Sequence, residues 1–147
     1  WTVLRHIYPD ADIPTFQMSI DYSKPPKFHY ELAKELKNLR SKGVLILGSG
    51  NVVHNLRQLN WSDPYGKPFD WALEFDSFVK SKIDNRNFAE LADFQQLSSV
   101  SQLAHPSYDH YLPVLYTAGL IGEKDPIKYT YEGIEMGSIS MRCFQAG

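Results

Sequence analysis

The stretch Gly43-Val44-Leu45-Ile46-Leu47-Gly48-Ser49-Gly50-Asn51-Val52-Val53-His54 decides how the rest of the chain is read. Val44 to Leu47 is short and wholly apolar. A strand with no polar alternation is expected to be buried on both faces, as in a parallel sheet covered by helices. Upstream, Lys27 to Ser41 reads as a helix, because Leu32, Leu36 and Leu39 recur at helical spacing with Ala33 on the same flank. Pro25-Pro26 favours the start of that helix, and Gly43 stands where its stop is expected. Helix, glycine and buried strand make half of an α/β crossover unit. His54 then falls just past the carboxyl end of the strand, where open α/β sheets gather their ligands.

Gly48-Ser49-Gly50-Asn51 lacks the spacing of a phosphate-binding loop, so a nucleotide is not expected there. Its glycines let the backbone turn sharply and approach another group closely. On the N-terminal side, Trp1 to Tyr8 reads as helical, and Pro14 to Ile20 as a strand in which Phe16, Met18 and Ile20 alternate with polar neighbours. On the C-terminal side, Phe69 to Asp84 reads as a helix with Trp71, Phe75, Phe78, Val79 and Ile83 as core candidates. Asn87 to Gln95 reads as a short helix. Ser107 can cap a further helix that runs to about Ala118, with Pro113 kinking it or marking its first turn and Gly119 as its stop. Ile127 to Glu132 and Ser138 to Phe144 read as two closing strands.

With 147 residues, the chain is long enough for one domain with a real core. A formal charge of −2 gives no electrostatic case for nucleic acid or an anionic membrane. Lys34, Lys37, Arg40 and Lys42 read as the wet face of a helix. No segment reads as a signal peptide, and no apolar run is long enough to cross a bilayer. The single cysteine, Cys143, excludes an internal disulfide, fits a reducing compartment and reads as a core residue of a late strand. A cytoplasmic location is expected.

A second histidine context is His105-Pro106-Ser107-Tyr108-Asp109-His110-Tyr111-Leu112-Pro113, which places His110 on the first turn of a helix. Imidazole suits both metal binding and proton transfer near neutral pH. His54 and His110 together suggest half of a metal-centred site. The bland readings are a loop histidine bonded to backbone for His54, and a helix-surface histidine beside Asp109 for His110. His105 precedes a proline and is biased toward an extended conformation; binding substrate, orienting His110 or fixing the loop are all open to it. Asn51 and Tyr108 are candidate substrate-pocket residues by position. Glu132 and Glu135 flank a glycine bend and are candidates for supporting the site or for capping a turn. His6 and His29 read as surface or helix-packing residues.

The segments Gly48 to Leu56, His105 to Pro113 and Glu132-Gly133-Ile134-Glu135-Met136-Gly137-Ser138 resemble the DOPA 4,5-dioxygenase group of extradiol ring-cleaving enzymes, especially its bacterial members. That group belongs to the class III extradiol superfamily, with protocatechuate 4,5-dioxygenase as a relative. The resemblance runs in order along essentially the whole chain. It implies a three-layer αβα fold with a central mixed sheet, of which residues 1–147 form the C-terminal portion. In such enzymes an N-terminal half carries two further metal-binding histidines and then a Leu-Asp-His-Gly-x-Trp segment, whose last residue Trp1 resembles. The expected partner is thus the missing N-terminal half of the same protein.

The resemblance further implies a catechol and O2 as substrates, DOPA as the suggested catechol, and Fe(II) as the working metal. Three protein ligands with open coordination positions are expected of such iron sites. By analogy His110 is the third ligand, where relatives outside the group use a carboxylate or thiolate. An all-histidine set also suits Zn(II), so zinc in a purified sample is compatible with it. His54 is by analogy the acid/base residue, close enough to the metal to count as a ligand when no substrate is bound. Two rival readings remain open at this point: a non-catalytic metal-binding or signalling member of the same superfamily, and a zinc hydrolase.

Overall fold

The computed structural model describes residues 2–97 and 99–147, with 96 and 97 described by backbone alone; Trp1 lies outside the described residues. Helix α1 spans Thr2–Ile7 and α2 spans Pro26–Glu35, with Pro26 in the first turn. The chain then tightens into a 3-10 segment, Leu36–Lys42, and stops at Gly43 in the left-handed conformation (φ 78°). The expected helix 27–41 is therefore an α-helix that changes pitch at Leu36. After residues 44–53, which form neither helix nor strand, and a 3-10 turn, Leu56–Gln58, comes the longest helix, α3, Asp70–Asp84. The single turns α4 (Phe88–Leu91), α5 (Phe94–Leu97) and α6 (Ser101–Ala104) follow, so the short helix expected at 87–95 is divided. Helix α7 is Leu112–Leu120.

Four short strands close the chain: β1 Ile127–Tyr131, β2 Ile134–Glu135, β3 Ile139–Ser140 and β4 Cys143–Ala146. β1 pairs antiparallel with β4, and β2 with β3. Between the paired Glu135 and Ile139 the β2–β3 hairpin turns through Met136 (φ 51°), Gly137 (φ 77°) and Ser138. A Cβ on Gly137 would lie 2.8 Å from the Phe69 ring. The expected strand 138–144 is thus split, since β3 pairs with β2 and β4 with β1.

The core lies between α3, α7 and the turns joining them. Ala72, Phe75, Val79 and Ile83 recur on one face of α3 and are all fully buried. α7 is apolar all round and buries Leu112, Leu115 and Ala118. Tyr111 fills the gap between the helices and donates its hydroxyl hydrogen to Leu91 O (3.0 Å). α2 crosses α7 at Gly119, where a Cβ would lie 2.7 Å from the Ala33 Cβ. Gly119 is therefore a point of close helix approach inside α7 and not its stop. Pro113 marks the first turn of α7 as expected, but Tyr111, not Ser107, holds the cap position.

Two expected strands are not strands. Pro14 to Ile20 and Val44 to Leu47 are extended without a ladder partner among the described residues. Phe16 is 77% exposed, Leu45 66% and Leu47 43%, while Val44 and Ile46 are half-buried. The expectation that 44–47 is buried on both faces fails, because a strand needs neighbours and the described residues put none beside it. The described ladders are small and antiparallel, and no mixed central sheet forms among the described residues. None of the described helices is long and apolar enough to cross a membrane.

Candidate active site

His54 and His110 come together although they lie far apart in the chain. The strip 48–54 runs along the start of α7: Asn51 N–H donates to His110 O (2.9 Å). Gly48 and Gly50 permit this approach. A Cβ on Gly48 would lie 2.8 Å from Pro113 O, and one on Gly50 would collide with the His110 carbonyl. The close approach expected of these glycines is thus to the backbone carrying His110. On its other side the strip meets the hairpin: Ser140 N–H donates to Val53 O (3.0 Å), and His54 forms an isolated bridge with Ile139. His54 N–H also donates to Ala104 O (2.9 Å). Next to it, the buried Asn55 side chain donates to Leu103 O and accepts from Arg57 N–H, which fixes the chain on leaving the site.

The two imidazole rings stack face to face, centroids 3.6 Å apart and planes 4° from parallel. Burial holds the His54 ring below the ordinary imidazole range, and the adjacent His110 ring acts in the same direction. Two charged rings at this separation would repel, so the stack favours at least one neutral imidazole. His110 Nδ1 lies 3.1 Å from Asn51 Oδ1, and its Nε2 is 3.9 Å from Asp109 Oδ2, beyond hydrogen-bond reach. The Ser107 hydroxyl, bonded to Asp109, holds that carboxyl below the usual carboxylate range. Here lies the role of Ser107, in place of the expected helix cap.

His105 is buried among Phe75, Phe94 and Tyr111. Its Nε2 bonds to Val52 O (2.8 Å), two residues before His54, and its Nδ1 has no partner among the described residues. A carbonyl only accepts, so Nε2 carries a hydrogen, and burial favours the neutral ring. Burial pushes its pKa down to about 4. Tyr108 stacks on Tyr22 (4.7 Å, 24°), apart from the histidine pair's own ring stack. Glu132 is exposed and ion-paired with Arg142 and Lys80. Glu135 pairs through its backbone with Ile139, the residue bridged to His54. Cys143 is exposed on β4 and not a core residue: β4 alternates exposed and half-buried positions, and Cys143 takes an outward one. His29 packs between α2 and α7 against the Tyr116 hydroxyl (3.0 Å), while His6 is exposed.

One part of the site escaped the sequence reading: the buried cluster of Asp76, Ser140 and Arg142 beneath it. Its signal is a lone carboxylate at 76 within the apolar face Ala72, Phe75, Val79, Ile83 of α3. A carboxylate seldom lies buried without a partner.

Among the described residues, no group of three or more metal-binding side chains gathers. His110 nevertheless fits a metal: its Nδ1 is engaged and its Nε2 is not hydrogen-bonded. Ring lone pairs lie in the ring planes, so two planes 4° from parallel and stacked cannot both aim at one ion.

The chain thus sets a stacked pair of histidines on a helix-rich scaffold with small antiparallel ladders. Residues 2–142 match the family of the catalytic LigB subunit of aromatic ring-opening dioxygenase, and the chain belongs to that family. It is 42% identical over 150 residues to the 4,5-DOPA dioxygenase extradiol of Escherichia coli (strain K12), covering 100% of this chain and 55% of that protein. It is 30% identical over 146 residues to the 4,5-DOPA dioxygenase extradiol of Beta vulgaris, covering 99% of this chain and 53% of that one. The crystal structure of an uncharacterized protein from Escherichia coli K12 superposes with a TM-score of 0.89 at 41% identity, over 100% of this chain and 61% of the other. The chain spans about half the length of the curated relatives it matches.

Proposed function

We propose that this chain is the C-terminal, catalytic-histidine-bearing portion of a metal-dependent extradiol dioxygenase that opens a catechol, DOPA or a close analogue, with O2. The observation that carries the reading is the stack of His54 on His110, with His110 Nε2 without a hydrogen bond among the described residues. In this reading His110 holds the metal through Nε2. A bound Fe(II) supplies the oxygen chemistry, which protein side chains alone cannot. His54, lowered by burial and lying beside the metal ligand, takes a proton from a catechol hydroxyl and returns it to product oxygen. The parallel rings support this division between one ligand and one proton carrier. His105 supports the backbone at Val52 and so the position of His54.

The remaining ligands and the neighbours of strand 44–47 are assigned to an N-terminal half of the same polypeptide, completing a three-layer αβα sheet. The exposure of Phe16, Leu45 and Leu47, together with the half-length coverage of the relatives, supports that assignment. A cytoplasmic location agrees with the one unpaired cysteine, Cys143.

The test is oxygen uptake by the full-length protein, reconstituted anaerobically with Fe(II) and given DOPA, with the yellow ring-opened product followed by absorbance. Uptake matched to product is the expected result. Absence of uptake across a panel of catechols, with iron demonstrably bound, would overturn the reading. His54→Ala should keep the metal and lose turnover, whereas His110→Ala should lose the metal.

A further inference from the structure

The orientation of the Asn51 amide is settled by its surroundings. Its Nδ2 lies 2.8 Å from Ser140 O, and a backbone carbonyl can only accept. Nδ2 is therefore the donor there, and Oδ1 faces His110 Nδ1 at 3.1 Å. An amide oxygen can only accept as well, so Nδ1 must carry the ring hydrogen. A neutral ring then keeps its lone pair on Nε2 alone. The same asparagine also binds the His110 main chain, through its own N–H to His110 O.

The anchor of the amide is itself held. Ser140 is 1% exposed and donates its hydroxyl hydrogen to Asp76 Oδ1 (2.7 Å). Arg142 Nε donates to the same oxygen (3.0 Å), a further guanidinium nitrogen pairs with Asp76 Oδ2, and Arg142 N–H donates to the Ser140 hydroxyl (3.3 Å). The Arg142 side chain is only 5% exposed, so this ion pair is shielded from salt and water. A continuous set of bonds thus runs from Arg142 through Asp76, Ser140 and Asn51 to the His110 ring.

We propose that Asn51 is a positioning residue for His110: its amide, fixed by the Ser140 carbonyl, holds the ring as the Nδ1–H tautomer and presents Nε2 as the metal-binding atom. This goes beyond the proposed function and rests on it only for the identity of the ligand. Partners of this kind typically change metal affinity by about 10- to 100-fold.

The test begins on the metal-free full-length protein, where nitrogen-15 NMR reads the His110 tautomer directly. Wild type should show a protonated Nδ1 and a bare Nε2. Asn51→Ala should give a mixture of tautomers and bind Zn(II) about tenfold or more weakly in a competition titration. Asn51→Leu, close in shape but with neither donor nor acceptor, should match Asn51→Ala. A wild-type ring without the Nδ1–H form would overturn the proposal, as would an Asn51→Ala or Asn51→Leu protein that keeps it. If His110→Ala binds Zn(II) as tightly as wild type, the ligand assignment fails instead, and the metal-free NMR result still judges Asn51.

Discussion

The strip 44–47 and helix α7 are both almost wholly apolar, yet they meet opposite fates. α7 buries nearly every side chain, whereas Leu45 and Leu47 face outward. The difference is in the neighbours. A helix satisfies its own backbone and needs only side-chain contacts, which α2 and α4 supply. A strand needs another strand at each edge before its side chains can be covered. Apolar composition therefore states what a segment requires, and the rest of the chain decides whether the requirement is met.

Three changes test that contrast, and the largest effect is expected on the buried side. Asp76→Ala should destabilise the fold by about 3–5 kcal/mol in urea unfolding, because it strips the enclosed Arg142 of its main partner. A loss below 1 kcal/mol would mean that Glu132 alone satisfies the arginine.

Next comes acid. His105 has its pKa lowered from 6.5 to about 4, so the unfolded chain binds the extra proton first as pH falls. Stability from this burial is complete above pH 6.5 and is lost progressively as pH falls toward 4, by roughly 3 kcal/mol in all. His29, also lowered by burial, works in the same sense. His105→Gln, which can still donate to Val52 O, should flatten much of the slope measured by unfolding between those pH values. An unchanged slope would place the proton uptake elsewhere.

The smallest effect should separate the exposed strip from ordinary surface. In the full-length protein, Leu45→Asp should cost about 2 kcal/mol if a sheet neighbour covers it. Tyr65→Ser, at a side chain 88% exposed, should stay within about 0.5 kcal/mol. Equal, small losses at both positions would show that nothing covers the strip.

Much of the molecule was legible in the sequence where local periodicity carries the information. The face Phe75, Val79, Ile83 of α3, the stop at Gly43 and Pro113 in a first turn all follow from a few adjacent residues. The two histidine contexts were legible only in part: the segment before His54 forms no ladder among the described residues, and His110 lies in the turn before α7, not on its first helical turn. Gly119 was misread because a glycine near a helix end usually stops it, and only the crossing with Ala33 reveals the other use. Segments 14–20 and 44–47 form no ladder among the described residues, which their sequence could not show because pairing is not a local property. The link from Asn51 to Ser140 joins residues 89 apart, and no periodicity within either segment announces it.

That 89-residue separation also has a kinetic meaning. The contacts that shape the histidine pair join residues 59, 53 and 89 positions apart, so each closes a long loop. Loops of this length are entropically costly to close early, and topologies rich in them fold slowly. α3 can gather its apolar face while strip, turn and hairpin are still apart. The His110 ring then meets its Asn51 partner only when the last of these arrives. A nascent or partly opened chain accordingly lacks the finished histidine pair, and the geometry of the site becomes a late checkpoint of folding.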